Sequence, residues 1–266
     1  MGLRDQLRGI LPPELLPMVS DHFTVIGDVA VIGIHPLLKP YRQVIAQAIV
    51  SRRKNIGTVL EKTGKIAGDL RTAGYELLLG NSTVTVHREA GFSYRLDVAG
   101  SFFSPRMVSE RKRVTGLVRP GEHVFVPFAG IGPYVIPAAA RGADVWAVEQ
   151  NPDAFRWLSE NCALNKVGAH CHLIPGDALD TSLLPVHRFD RIIIPAPYGM
   201  DNALDILLPL LSSRGTAHFY TFRTRQEIPG LVAAYAARGL DVTYTSACGN
   251  VAPGVSRRVF DLVWRR

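Results

Sequence analysis

Cysteine is scarce in this 266-residue chain. There are three, Cys162, Cys171 and Cys248, and no pair has Cys-x-x-Cys spacing. So sparse and odd a count excludes a disulfide framework and a zinc site, and it fits a reducing cytosol. No run of about 18 apolar residues occurs, so no membrane-spanning helix is expected. The opening Met1-Gly2-Leu3-Arg4-Asp5-Gln6 lacks the apolar stretch of a secretory signal, and Gln6 stands where N-myristoylation takes Ser or Thr. Internal repeats and low-complexity tracts are missing too. His170 and His172 alternate around Cys171 like a metal pair, but no third ligand of suitable spacing joins them, and no metal is expected.

What is present is apolar and mildly basic. Hydrophobic residues make up 47% of the chain, ample for a core, and the length suits one main domain with a small one beside it. The net charge of +7 points toward a polyanionic partner, nucleic acid first. It fits an ordinary basic enzyme equally well.

The stretch Val124-Phe125-Val126-Pro127-Phe128-Ala129-Gly130-Ile131-Gly132-Pro133-Tyr134 organises the rest. A short apolar run signals a buried strand. A glycine turn, Ala129 to Gly132, follows, and then an alanine-rich helix over 134–141. Glycines at such a turn let a ligand approach bare backbone. The helix start adds unpaired N–H groups and partial positive charge. Glu149 comes 19 positions after Gly130, at the end of a second apolar run. An acid there typically holds the two hydroxyls of a ribose. The dinucleotide fingerprint wants a third glycine, and Val135 occupies its place. A nucleoside without a pyrophosphate, such as S-adenosylmethionine, needs only the first turn and the acid. The turn alone is equally compatible with an ordinary strand-turn-helix.

Taken in order, the chain opens with a short helix over 11–19. Thr24–Ile26 and Val29–Ile34 read as a hairpin, and Pro40–Arg53 as a helix. Asn55–Leu60, Tyr75–Leu79, Thr83–His87 and Ser93–Val98 read as strands. Residues 101–119 connect the two parts and carry a helix over 108–118. Strands are then expected at 123–127, 144–149, 170–174, 189–194 and 215–221. Helices are expected at 134–141, 152–164, 201–212 and 226–238. Such alternation implies a parallel, doubly wound α/β sheet. Leu240–Thr245 and Arg258–Trp264 end the chain as two strands with no helix between them. An antiparallel C-terminal hairpin closing a parallel sheet is the pattern of the class I methyltransferase (Rossmann-like) fold. Residues 1–100 are expected to form a small N-terminal α+β domain on the RNA or substrate side. Residues 101–266 are expected to form the cofactor-binding domain.

Several side chains invite chemistry. Asp177 follows the third strand and faces the ligand crevice, where it is placed to accept from an adenine amino group. It serves equally as a helix cap. Pro195-Ala196-Pro197-Tyr198 follows the fourth strand and would hold backbone carbonyls and an aromatic ring at the reacting end of a cofactor. It is also a simple strand terminator. Glu110 is a candidate general base, since the loop before it brings it near the crevice. It is also read as a helix carboxylate paired with a nearby Arg or Lys. Arg52, Arg53, Lys54, Arg106, Arg111, Lys112 and Arg113 are candidates for phosphate contact or a solvated face. His87 and His218 sit in strand patterns and read as structural.

Together these stretches resemble a known family. Phe102-Phe103-Ser104-Pro105-Arg106, Ser109-Glu110-Arg111, Phe128-Ala129-Gly130-Ile131-Gly132-Pro133, Glu149-Gln150-Asn151-Pro152, Asn161–Asn165, His218-Phe219-Tyr220-Thr221 and Ala252-Pro253-Gly254-Val255 are similar to the archaeal and eukaryal tRNA (guanine-37-N1)-methyltransferases. The likeness covers roughly residues 55–266. The wybutosine-synthesis aminocarboxypropyltransferases belong to the same superfamily. The resemblance implies S-adenosyl-L-methionine as cofactor, bound by Ser104, Arg111, Glu149, Asp177 and Ala178, with Phe128, Gly130, Gly132 and Pro195 at matching motif positions. It implies tRNA as partner, no membrane, a cytoplasmic monomer, and Glu110 as the base for guanine N1. Four departures stand out. Val126 replaces an acid, Pro195-Ala196-Pro197 replaces Asn-Leu-Pro, and Ser82 replaces a substrate-side Arg. No counterpart of the family's extra N-terminal tRNA-docking domain is expected. Arg106 or Arg71 would then supply the missing cation. The implied activity is N1-methylation of guanine 37. Aminocarboxypropyl transfer to a wybutosine precursor is the alternative. A non-catalytic RNA-binding module and a nicotinamide oxidoreductase are rivals of other classes.

Overall fold

Two compact units, Met1–Pro105 and Arg106–Arg266, emerge in the computed structural model, which describes residues 2–64, 74–184 and 188–265.

The first unit runs α1 (Leu3–Gln6), β1 (Thr24–Ile26), β2 (Val29–Ile32), α2 (Arg42–Arg52), β3 (Thr58–Lys62), β4 (Tyr75–Leu79), β5 (Val84–Glu89) and β6 (Phe92–Asp97). β1 pairs antiparallel with β2, β2 parallel with β3, and β3 antiparallel with β4. β5 and β6 form a separate two-stranded ribbon. The core is Leu3, Leu7, Ala30, Ile32, Ile45, Ile49 and Val59. The helix read over 11–19 is a 3₁₀ segment, Pro13–Met18. Pro12 and Pro13 sit where a helix's first N–H groups are unpartnered anyway, but Pro17 removes a donor that an α-helix needs. α2 follows a 3₁₀ turn, Pro36–Tyr41, that contains Pro40. Gly27, in the β1–β2 turn, has φ +58, and a Cβ there would overlap Thr85. Its N–H donates to His87 Nδ1 at 3.3 Å, so His87 is a structural acceptor.

The second unit runs α3 (Val108–Gly116), β7 (His123–Pro127), α4 (Val135–Ala139), β8 (Asp144–Glu149), α5 (Pro152–Leu164), β9 (Cys171–Pro175), β10 (Phe189–Ile194), α6 (Ala203–Leu207), β11 (Leu211–Arg223), α7 (Ile228–Ala237), β12 (Leu240–Ala252) and β13 (Val255–Trp264). Its seven-stranded sheet has the order β12-β13-β11-β10-β7-β8-β9. Five strands are parallel, and β13 and β12 close the edge antiparallel. This is the doubly wound α/β architecture with an antiparallel C-terminal hairpin. β7 and β10 are buried almost throughout, as strands covered on both faces must be. Phe125, Val148, Phe189, Ile192, Leu204, Leu207, Phe219 and Phe260 form the core. The strand order reverses between β7 and β10, so a ligand crevice opens at their carboxyl ends.

Two expected helices are shorter than their apolar runs. The helix read over 134–141 is α4, five residues with Pro137 inside. The one read over 201–212 stops at Leu207, passes through a 3₁₀ turn containing Pro209, and gives way to β11 at Leu211. In the second, Pro209 lacks the N–H that the next turn requires.

Candidate functional site

The glycine turn leaves β7 through three left-handed residues, Phe128 (φ +54), Gly130 (φ +57) and Gly132 (φ +96). Phe128 adopts this conformation despite its side chain, which packs against the core. The Ala129 N–H donates to Val148 O at 3.0 Å, joining the turn to β8. The Gly130 N–H donates to Glu149 Oε2 at 2.7 Å, and the Asn151 N–H donates to Oε1 at 2.8 Å. The candidate ribose acid is thus pinned by the backbone on both sides. Burial pushes its carboxyl up from the usual range, against the lowering effect of the Asn151, Gly130 and Gln150 N–H groups. Asn161, on α5, donates from Nδ2 to Ile131 O at 3.1 Å and ties the turn to that helix. α5 is capped by Asn151 Oδ1, which accepts from Asp153 N at 3.0 Å and Ala154 N at 3.4 Å.

The anion-binding helix start expected at 134 is corrected here. α4 is a single short helical stretch, and Gly130 and Gly132 spend their N–H groups inside the turn, on Glu149 and Ala129 O. A turn that consumes its own donors suits a nucleoside better than a pyrophosphate.

Asp177 follows β9, is exposed, and accepts the Leu179 N–H at Oδ1, 2.9 Å. This is a local turn and not the helix cap read for it, since no helix begins there and Asp180 caps the 3₁₀ turn Thr181–Leu183; Oδ2 has no partner among the described residues. Ala178 is buried beside it. Pro195 lies between Ile194 and Ala196, whose N–H closes a tight turn onto Ile194 O at 2.8 Å. Arg106 is exposed just ahead of α3, and Arg111 is buried within it. Ser104 belongs to the first unit, half-buried after β6. Arg71 lies outside the described residues.

Glu110 is buried in the first turn of α3. Its Oε1 accepts from Arg113 Nη2 at 2.8 Å and Tyr220 OH at 2.9 Å, and its Oε2 from Arg113 Nε at 2.9 Å. A carboxylate has about four acceptor positions, and this one uses three. Arg113 also grips Asp261, Nη1 to Oδ2 at 2.6 Å and Nη2 to Oδ1 at 3.0 Å. Burial lowers its tendency to hold a proton, but the two carboxylates more than restore it. The solvated face read for Arg111 and Arg113 is corrected: the first is buried, and the second is consumed by ion pairs. From Asp261 the network continues to His218 Nδ1 at 2.7 Å, and from His218 Nε2 to Arg191 Nη1 at 2.7 Å. Arg191 ends it on Glu122 and on Leu117 O. Arg191 can only donate, so His218 Nε2 accepts and its Nδ1–H donates to Asp261. Burial lowers the His218 pKa, in keeping with this neutral tautomer. Arg113, Tyr220, Arg191 and Asp261 were not singled out from sequence as members of one network. The alternation of His218 and Tyr220 along β11, which puts both on one face, was the available signal.

Comparison with known proteins agrees with this architecture. Residues 85–233 match the TRM5/TYW2 methyltransferase domain, and residues 3–83 match the TYW2 N-terminal domain. The chain is 38% identical over 215 residues to tRNA (guanine(37)-N(1))-methyltransferase Trm5b of Pyrococcus abyssi, covering 80% of this chain and 63% of that protein. It is 43% identical over 171 residues to the tRNA(Phe) (4-demethylwyosine(37)-C(7)) aminocarboxypropyltransferase of Pyrococcus horikoshii, covering 62% and 61%. It thus spans somewhat more than six-tenths of the length of these two relatives. The crystal structure of P. horikoshii TYW2 in complex with MeSAdo has a TM-score of 0.80 at 32% identity, covering 99% of this chain and 98% of that one. The chain belongs to the TRM5/TYW2 family of class I methyltransferase-fold proteins.

Proposed function

We propose that this chain is an S-adenosylmethionine-dependent tRNA methyltransferase acting on N1 of guanine 37. The observation that carries the reading is Glu149, pinned by the Gly130 and Asn151 N–H groups at the carboxyl end of β8. An acid so fixed offers its outward lone pairs to a pair of ribose hydroxyls, while the self-satisfied turn has little to give a pyrophosphate. Glu149, Gly130, Gly132, Asp177 and Ala178 would hold the nucleoside end of the cofactor. Arg111, Phe128 and Pro195 are proposed to complete its site. Bound there, the cofactor supplies an electrophilic carbon attached to a good leaving group.

The protein's own chemical task is at the base. Guanine N1 carries a proton at neutral pH, and that proton must leave as the new bond forms. Glu110 has one acceptor position left, and Arg113 and Tyr220 hold its carboxylate in one orientation. We assign it the role of general base. Arg106 is proposed to neutralise charge growing on the substrate. The active species is taken as a cytoplasmic monomer, testable by light scattering and cell fractionation.

A second reading, aminocarboxypropyl transfer from the same cofactor to a tRNA base, is favoured by the match of residues 3–83 to the TYW2 N-terminal domain. One experiment separates the two. Incubate the protein with tRNA and cofactor labelled either in the methyl or in the carboxyl carbon. Methyl label in tRNA supports the first reading, and carboxyl label gives the second. Label in neither ends both. Binding of tRNA should also weaken steeply with salt, because each neutralised phosphate releases counterions.

A further inference from the structure

We propose that Tyr198 is a stacking platform for the unpaired nucleobase that this site acts on, backed by a ladder formed with Phe222 and Arg257. The inference rests on the tRNA reading above and adds to it the surface that receives the base.

Tyr198 is 67% exposed. It lies just beyond β10, at the carboxyl end of the sheet beside the strand-order reversal. A single exposed aromatic is ordinary, but this one is held rigidly. The Ala196 N–H closes onto Ile194 O at 2.8 Å, and the Met200 N–H onto Pro197 O at 3.2 Å. Between them Gly199, at φ +85, supplies the left-handed residue that the second turn needs. Pro195 and Pro197 remove backbone freedom on either side. Asp201 then anchors the segment to β11, accepting from Thr221 Oγ1 at 2.6 Å and pairing with Arg223 at 2.8 Å.

The ring so held does not stand alone. It lies 5.1 Å from the Phe222 ring, inclined by 58°. The Arg257 guanidinium sits 5.1 Å from the centroid of the same Phe222 ring. The result is a cation–aromatic–aromatic ladder whose outermost ring is open to solvent. Its chemistry fits a flat, polarisable, electron-rich partner approached by an anionic backbone. Any nucleobase offers a stacking face, and base–aromatic stacking tolerates sequence. A base must leave its neighbours to be modified, and an aromatic ring fixed beforehand receives it with little ordering cost. Neither Tyr198 nor Arg257 is part of the Glu110 network, so the ladder is separable from the proton-accepting machinery.

The test uses the whole chain, an anticodon stem-loop carrying 2-aminopurine at the target position, and tRNA with cofactor labelled in the methyl and, separately, in the carboxyl carbon. Tyr198→Ala should raise KM for tRNA or lower kcat/KM about 10- to 100-fold, the size of one lost stacking contact. It should leave S-adenosylhomocysteine affinity and the melting temperature unchanged. The wild-type protein should quench the 2-aminopurine, and Tyr198→Ala should not. Tyr198→Trp and Tyr198→Phe should restore both signals, because the ring and not the hydroxyl does the work. Normal kinetics and quenching in Tyr198→Ala, with an active wild type, overturn the ladder and leave the tRNA reading intact. A wild type that transfers no label to any tRNA overturns the tRNA reading, and this inference with it.

Discussion

Arg113 and Asp261 lie 148 positions apart in the chain, yet their side chains meet through two hydrogen bonds, the shorter 2.6 Å. The same guanidinium holds Glu110 one helical turn away, so one cation orders two buried carboxylates. It joins the start of the second unit to its last strand.

Removing that cation should be expensive. Arg113→Met strands Glu110 and Asp261 with buried, unmatched charge. Breaking such a pair from one side costs about 3–5 kcal/mol. The urea midpoint should fall accordingly. A loss below about 1 kcal/mol would mean that the carboxylates find water instead.

The same network sets a dependence on pH. Burial pushes the Asp261 carboxyl up, but hydrogen bonds from His218 and Arg113 win and hold it at about 2 against an ordinary 3.8. A depressed acid contributes stability above its unfolded pKa, and that stability is lost as pH falls through the folded value. The loss should therefore run from about pH 4 to pH 2 and amount to about 2 kcal/mol. His218 adds a separate arm. Its folded pKa lies below 6.5, so the unfolded chain takes up a proton first and stability falls as pH drops below that value. Urea midpoints from pH 8 to pH 3 should slope in both windows. Asp261→Asn should flatten the acid arm relative to wild type, and His218→Gln the upper one.

How far the amino-acid pattern reaches can be seen strand by strand. β7, β8 and β10 fall where the apolar runs place them, because a strand covered on both faces is apolar along most of its length. β11 runs Leu211–Arg223, well past the expected 215–221, and β12 and β13 extend inward to Ala252 and Val255. The added residues, Ser246 to Arg257, are small or polar and have no alternation. Pairing with the neighbouring strand holds them, across two register shifts. The glycine turn and Glu149 were visible because their chemistry is local. The Arg113 network was not, since nothing in a linear pattern joins Glu110 to Asp261.

Gly132 should resist substitution. At φ +96 an L side chain is strained, and a Cβ would come within 2.8 Å of Leu158 Cδ1 and 3.1 Å of Ile136 Cδ1. Both methyl ends can yield, so the backbone dominates. Gly132→Ala should cost about 1–3 kcal/mol. Thermal melts would show it, and an unchanged melting temperature would show that the turn relaxes freely.

Glu149→Ala should act twice. It removes the proposed ribose acceptor and leaves the Gly130 and Asn151 N–H groups without their partner. Cofactor affinity should drop by about 1–3 kcal/mol, and stability by a similar amount. Glu149→Gln keeps one acceptor oxygen and should fall between. Calorimetry with S-adenosylhomocysteine gives the first quantity and urea unfolding the second. Unaltered affinity in Glu149→Ala would remove Glu149 from the site.

The last prediction separates positioning from proton transfer at Glu110. Glu110→Gln preserves shape but cannot accept a proton from guanine N1. General-base catalysis contributes about 10²–10⁴-fold, so the single-turnover methylation rate should fall by that factor at saturating tRNA and cofactor. Affinity for both should hardly change. Tyr220→Phe removes one of the three donors to Glu110 but leaves the carboxylate and Arg113 in place. It should lower the rate far less, through looser orientation of the acid. Arg113→Lys should sit between them, because a point charge replaces two directed N–H groups. If Glu110→Gln methylates at the wild-type rate while Tyr220→Phe does not, the proton leaves by way of the tyrosine, and Glu110 is there to orient it. If neither matters, the pair is structural, and N1 of guanine is no longer the natural target of this site.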